Sequence, residues 1–134
     1  MYAEVITQNQ SSEAAKPLLA VVDDDESFLR SVSRLLRSVG YTVTTFGSAR
    51  AFLASLPESS PQCLVLDIHM PEMTGFELQD RIVAQGFRVP VIFVTACDTP
   101  ETRARAHHVG SFGLLVKPFD KQSLFDAIGV AVSS

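Results

Sequence analysis

Five short apolar runs punctuate the chain: Leu18–Val22, Tyr41–Phe46, Cys63–Leu66, Val91–Val94 and Leu114–Val116. Four of them are nearly continuous in apolar residues, the pattern of strands covered on both faces of a parallel sheet. The run at 41–46 alternates more, which places it at a sheet edge. The stretches between the runs carry a helical period. After Glu26, apolar residues fall at Phe28, Val32, Leu35, Leu36 and Val39, with Arg30, Arg34 and Arg37 on a solvated opposite face and Gly40 as the stop. Ser48 is placed to cap a second helix through Ala49, Phe52, Leu53 and Leu56, closed by Pro57. A third spans about 76–85, with Leu78, Ile82 and Val83 inward and Gly86 beyond its end. Thr99, Pro100 and Glu101 supply a cap, a first-turn proline and a first-turn acid for a fourth. Asp120 starts a fifth through Leu124, Ala127, Ile128 and Ala131. Strands alternating with helices call for an α/β protein built on a doubly wound, five-stranded parallel sheet, (βα)5.

Composition agrees with one folded unit. The chain has 134 residues, 46% of them hydrophobic and 19% charged, which suits a core-forming domain and excludes disorder of the whole chain. Eleven basic against fifteen acidic residues give a net charge of −4; direct nucleic-acid binding, which calls for a basic stripe, is not expected. No apolar run approaches the ~18 residues of a membrane span. Residues 1–16 are polar, lack the basic and apolar regions of a secretory signal, and are expected to form a disordered tail ahead of a domain at 17–132. A cytoplasmic protein is the expectation. The two cysteines, Cys63 and Cys97, stand at opposite ends of their strands, too far apart for a disulfide.

The candidate chemistry lies where four of the runs end. Val22 leads to Asp23 and Asp24, Leu66 to Asp67, Val94 to Thr95 and Val116 to Lys117. All carboxyl ends of a parallel sheet lie along one edge, where such folds bind ligands, so these residues should converge. Three carboxylates and one ammonium in a cleft call for a counter-ion. The oxygen-rich donor set suits Mg²⁺ or Mn²⁺ rather than a soft metal. With a lysine and a hydroxyl nearby, the set suits phosphoryl transfer to a nucleophilic Asp67. Asp25 and Glu26 are better read as complementing the dipole of the first helix.

VVDDDES, LVLDIHMPEMTG, IFVTA and VKPF, in that order, resemble the motifs of the response-regulator receiver domain of bacterial two-component signalling. The likeness covers about residues 17–132, and the overall look is similar to receivers of the nitrogen-fixation regulator type. It implies a flavodoxin-like fold with strand order 2-1-3-4-5, and a phosphorylation-activated switch rather than a conventional enzyme. By the same resemblance Asp67 is the phospho-acceptor. Asp24, Asp67 and the backbone carbonyl of His69 would bind Mg²⁺, with Asp23 acting through water. Thr95 and Lys117 would hold the phosphoryl group, and Pro118 would follow a cis peptide. Met70, Pro71 and Gly75 would shape the loop after the acceptor, with glycine supplying unusual backbone angles. A sensor histidine kinase would be the donor, and the face of helix 4, strand 5 and helix 5 would change its affinity for an unnamed output domain or effector.

Three positions stand out against the family pattern. Leu114 occupies the place of the usual aromatic switch residue, with Phe112 two residues before it on the same strand face. His69 lies where the family varies a side chain that tunes phosphate lifetime; a histidine there either makes lifetime pH-dependent between ~5 and 8 or is an exposed loop residue with no special role. His107 and His108 are adjacent on a helix and do not face each other, so they are read as solvated. Ala104, Val109, Phe112 and Leu114 form a candidate self-association face for a homodimer, or part of the core. Other readings fit less well. A phosphatase of the haloacid dehalogenase type needs an acid where His69 stands. A flavin module needs a phosphate-cradling loop where DDDES would repel phosphate. A degenerate receiver, dimerising without phosphorylation, has Leu114 in its favour and the intact Asp–Asp–Asp–Thr–Lys set against it.

Overall fold

The computed structural model describes residues 17–56, 58 and 60–133, so the expected tail at 1–16 and the proline expected to close the second helix lie outside the described residues. Strands and helices alternate as β1 (Leu18–Val22), α1 (Glu26–Ser38), β2 (Thr42–Phe46), α2 (Ala49–Ser55), β3 (Cys63–Asp67), α3 (Gly75–Ala84), β4 (Val91–Thr95), α4 (Pro100–His108), β5 (Gly113–Val116) and α5 (Lys121–Val132). All neighbouring strands pair in parallel, in the order β2-β1-β3-β4-β5. The fold is the doubly wound, flavodoxin-like α/β sheet expected, with β2 at an edge. No helix among the described residues is long and apolar enough to cross a membrane.

Strand side chains alternate between the two faces of the sheet, and each face has its own core. Ala20, Val22, Leu64, Leu66, Val91 and Phe93 point to the side covered by Phe52 of α2, Leu78 and Ile82 of α3 and Ala106 of α4. Leu19, Val21, Cys63, Val65, Ile92 and Val94 point to the side covered by Leu29, Val32 and Leu36 of α1 and by Leu124, Ile128 and Ala131 of α5. Burial on both faces is why these runs read as continuously apolar. The thiol of Cys63, sealed inside, is pushed up to about 12 by loss of hydration. Cys97 is exposed and both cysteines are free.

The helix starts follow the sequence closely. Asp25 accepts from the N–H groups of Ser27 and Phe28, Ser48 from Ala51, Thr99 from Thr102 and Asp120 from Ser123. At α3, Thr74 and Glu77 form a reciprocal capping box. Gly40 follows α1 with φ of 101°, a left-handed conformation in which glycine is favoured.

Two apolar positions assigned inward from sequence point outward. Val39 is 52% exposed, because α1 ends at Ser38 and Leu29, Val32 and Leu36 supply its buried ridge. Val83 is 65% exposed: it sits one position, about 100° of helix rotation, beyond the buried Ile82. Replacing Ile82 by Ala should therefore lower stability by about 2–5 kcal/mol. Val83→Ser should change it by less than about 1 kcal/mol. Urea unfolding followed by far-ultraviolet circular dichroism compares the two, and equal losses would contradict this helix orientation.

Candidate functional site

The parallel register brings the strand ends to one edge. Val22 pairs with Leu66, Asp67 with Val94 and Thr95 with Val116. Beyond the ladders, Asp23 donates its N–H to the carbonyl of Phe46, Ile68 to that of Val94 and Lys117 to that of Thr95. These bonds carry the sheet pattern one residue further, so the polar residues start from fixed backbone. Asp23, Asp24 and Asp67 each offer an oxygen within 4.8 Å of the others. Lys117 Nζ lies 2.6 Å from Asp23 Oδ2 and 4.0 Å from Asp67 Oδ1. The Lys117–Pro118 peptide is cis.

Burial differs sharply across this cluster. The side chains of Asp23 and Asp67 are 1% and 8% exposed, that of Lys117 is 22% exposed, and Asp24 faces solvent. Asp23 is held twice, by the Lys117 ammonium and by the N–H of Asp25, 2.9 Å from its Oδ1. Asp67 is less compensated. Its carboxyl is raised to about 6, chiefly by loss of hydration and next by the negative charge of Asp23, with Lys117 opposing, Asp24 raising it further and a backbone bond at His69 lowering it.

The donor set fits a hard divalent cation. Oxygens around an octahedral Mg²⁺ lie ~2.1 Å from the metal, hence within ~4.2 Å of one another. The carboxylate oxygens already lie within 4.8 Å of one another, and a cation would offset the burial and the Asp23 charge that raise Asp67.

The loop after β3 holds the acceptor strand against α3. Gly75 N–H bonds the carbonyl of Ile68 at 2.9 Å. A Cβ on Gly75 would stand 2.6 Å from the backbone oxygen of Asp67. This corrects the role expected for Gly75. It begins α3 without a positive φ, and the left-handed residue of this loop is Glu72, at φ 69°. Glycine is required here for close approach, not for backbone angle. Met70 and Met73 are buried under the loop, Pro71 is exposed, and the His69 side chain faces solvent.

Thr95 is fully buried, and its hydroxyl is already engaged: it donates to the carbonyl of Cys97 at 3.1 Å and accepts from the Cys97 N–H at 3.0 Å. Leu114 is half-buried against the core, and its register partner Phe93 packs on Phe76 with ring centroids 4.7 Å apart. Arg105 of α4 covers the outer face of Phe76 at 4.6 Å. Phe112 precedes β5 and is 37% exposed. Of the candidate self-association face, Ala104 is exposed, while Val109 and Leu114 pack against the core. His107 and His108 are both exposed in the last turn of α4.

One feature of the cluster was not apparent from sequence. Lys117 Nζ lies 4.0 Å from the centroid of the Phe28 ring, and Phe28 meets Phe119 edge to face at 6.1 Å. From sequence Phe28 is one more member of an apolar stripe. A ring directly after an acid-rich strand end was the available signal.

A doubly wound sheet with acids, a hydroxyl and a lysine at its carboxyl edge defines a class of ligand- or phosphoryl-handling α/β domains. Comparison with known proteins narrows this. The family described as "Response regulator receiver domain" matches residues 19–129. Nodulation protein W of Bradyrhizobium diazoefficiens is 38% identical over 125 residues, covering 92% of this chain and 55% of the relative. Transcriptional regulatory protein FixJ of the same organism is 37% identical over 112 residues, covering 84% of this chain and 55% of the relative. The solved structure of a response regulator receiver protein from Burkholderia phymatum is 39% identical, with a TM-score of 0.78 over 88% of this chain and 96% of that one. The chain belongs to the response regulator receiver domain family. It spans about half the length of the curated relatives it matches. Receiver domains are phospho-accepting modules of two-component systems, and they generally use Mg²⁺.

Two measurements test the site's construction. The folded protein holds the Asp67 proton up to about 6, whereas an ordinary carboxyl releases it near 3.8. Without metal, ionised Asp67 therefore destabilises the fold as pH rises from ~4 through 6. Asp67→Asn should stabilise the metal-free protein by at most about 3 kcal/mol at pH 7.5 and by little near pH 4, read from urea midpoints in chelator. A gain that is independent of pH would contradict the assignment. Gly75→Ala should lower stability by about 1–3 kcal/mol through overpacking. Gly47→Ala, whose added Cβ meets nothing within 4 Å, serves as the control.

Proposed function

We propose that residues 17–132 act as a phosphorylation-controlled signalling switch whose acceptor is Asp67. The supporting observation is the convergence of three carboxylates within 4.8 Å, with the Lys117 ammonium 4.0 Å from Asp67. Asp24, Asp67 and the His69 backbone carbonyl would hold Mg²⁺, with Asp23 acting through water and anchoring Lys117. When bound, Mg²⁺ supplies positive charge for the oxygens of the transferring group.

Phosphoryl transfer would come from the phosphohistidine of a sensor histidine kinase. A carboxylate oxygen of Asp67 forms a bond to phosphorus as the phosphorus–nitrogen bond breaks. The leaving imidazole takes the bonding electron pair, and Asp67 becomes an acyl phosphate. Lys117 then pairs with a phosphoryl oxygen, and Thr95 must give up its bonds to Cys97 to hydrogen-bond another. Pro71, Gly75 and Pro118 keep the surrounding loops in shape. The outcome is an altered affinity of the α4–β5–α5 face for an output domain or effector. Leu114 offers no ring at the position where an aromatic switch would act, so the response on this face rests on its other residues.

Incubation with acetyl phosphate and Mg²⁺, followed by intact-mass measurement, tests this reading. One phosphoryl increment should appear, and it should vanish in chelator and in Asp67→Asn. An adduct that persists in Asp67→Asn, or none on a folded protein, would overturn it.

A further inference from the structure

We propose that Phe28 is a positioning residue for phosphoryl acceptance, holding the Lys117 ammonium over the acceptor pocket through its ring face; the inference rests on the acceptor reading above. The ring is fixed on several sides. Asp25 caps α1 by accepting the Phe28 N–H at 3.3 Å, Phe119 meets the ring edge to face, and the apolar core beneath α1 supports it. Lys117 Nζ sits 4.0 Å from the ring centroid, 2.6 Å from Asp23 Oδ2 and 4.0 Å from Asp67 Oδ1.

Each of these neighbours acts differently on the ammonium. Lysine is a strongly hydrated point charge on a flexible stem, with three N–H donors. Asp23 engages one donor and holds it by charge, so Asp23 competes with an incoming phosphoryl group. The Phe28 ring attracts the cation through its quadrupole and screens that side from water. Being neutral, it does so without consuming a full hydrogen bond or drawing the ammonium away from a phosphoryl oxygen. An aliphatic side chain of similar bulk would fill the space and pack on Phe119 but offer no such face.

The experiment times adduct formation from acetyl phosphate at saturating Mg²⁺, with Mg²⁺ affinity measured separately by calorimetry. Phe28→Leu should slow labelling roughly 3- to 20-fold, the range that a partly desolvated cation–ring contact supplies. Mg²⁺ affinity should change by less than about two-fold, because the metal oxygens are untouched. Phe28→Tyr, which restores a ring face, should label within about two-fold of the parent. In a Lys117→Ala background, Phe28→Leu should have no further effect, since its partner is gone.

The inference falls if Phe28→Leu labels like the parent, if Phe28→Tyr is as slow as Phe28→Leu, or if Phe28→Leu slows the Lys117→Ala protein by the same factor. Phe28→Met takes the place of the leucine variant should that one fail to fold. The tyrosine comparison decides alone if Lys117→Ala labels too slowly to time. A parent that never labels removes the acceptor reading and this inference together. A parent that labels normally while every Phe28 variant labels alike removes only this inference.

Discussion

Like charge confined at the carboxyl edge of the sheet is the constraint around which this structure is arranged. Asp23 and Asp67 are almost fully enclosed, and Asp24 stands beside them at the surface. Such a cluster survives in a folded protein only if the chain pays for it elsewhere. Here the compensation is local and unequal. Asp23 receives an ammonium and a backbone N–H, whereas Asp67 has the ammonium at a distance and is left with a raised affinity for protons. The group that is least satisfied is also the one best placed to take on something new.

Much of this was legible in the sequence, for physical reasons that can be named. A strand covered on both faces has no polar positions until it leaves the sheet, so the ends of LLAVV, CLVL, VIFV and LLV were visible as changes from apolar to polar residues. Parallel topology then forces those ends together. Caps were legible at Ser48, Thr99 and Asp120 because each acts within three residues of itself, whereas Asp25, expected only to complement the helix dipole, also caps α1. Helix faces were less so: Val39 and Val83 fit an apolar stripe by spacing, and only the end of α1 and the exact rotation of α3 turn them outward.

What sequence did not convey is how closely elements approach. Gly75 reads as a loop glycine, yet its constraint is the Asp67 carbonyl lying where a side chain would begin. Phe28 reads as a core residue, yet it meets a lysine from the far end of the chain. Arg37 reads as a solvated arginine on α1, yet its guanidinium donates to the carbonyl of Val43 at 2.9 Å and ties the helix to edge strand β2. In each case the partner is set by tertiary distance, on which local spacing carries no information.

The hydrogen bond between Lys117 and Asp23 joins residues 94 positions apart. It links the first strand end to the last, across most of the described chain. Asp23 directly follows β1 and Lys117 directly follows β5, so the ammonium reaches the acidic cluster only after the outer strand has docked. Fraying of β5 and α5 would withdraw that cation while leaving the three carboxylates at the ends of β1 and β3 in place. Competence at the carboxyl edge is therefore a property of the completed sheet: the C-terminal strand acts as a keystone, and a nascent or partly opened chain has the acids without the cation that balances them.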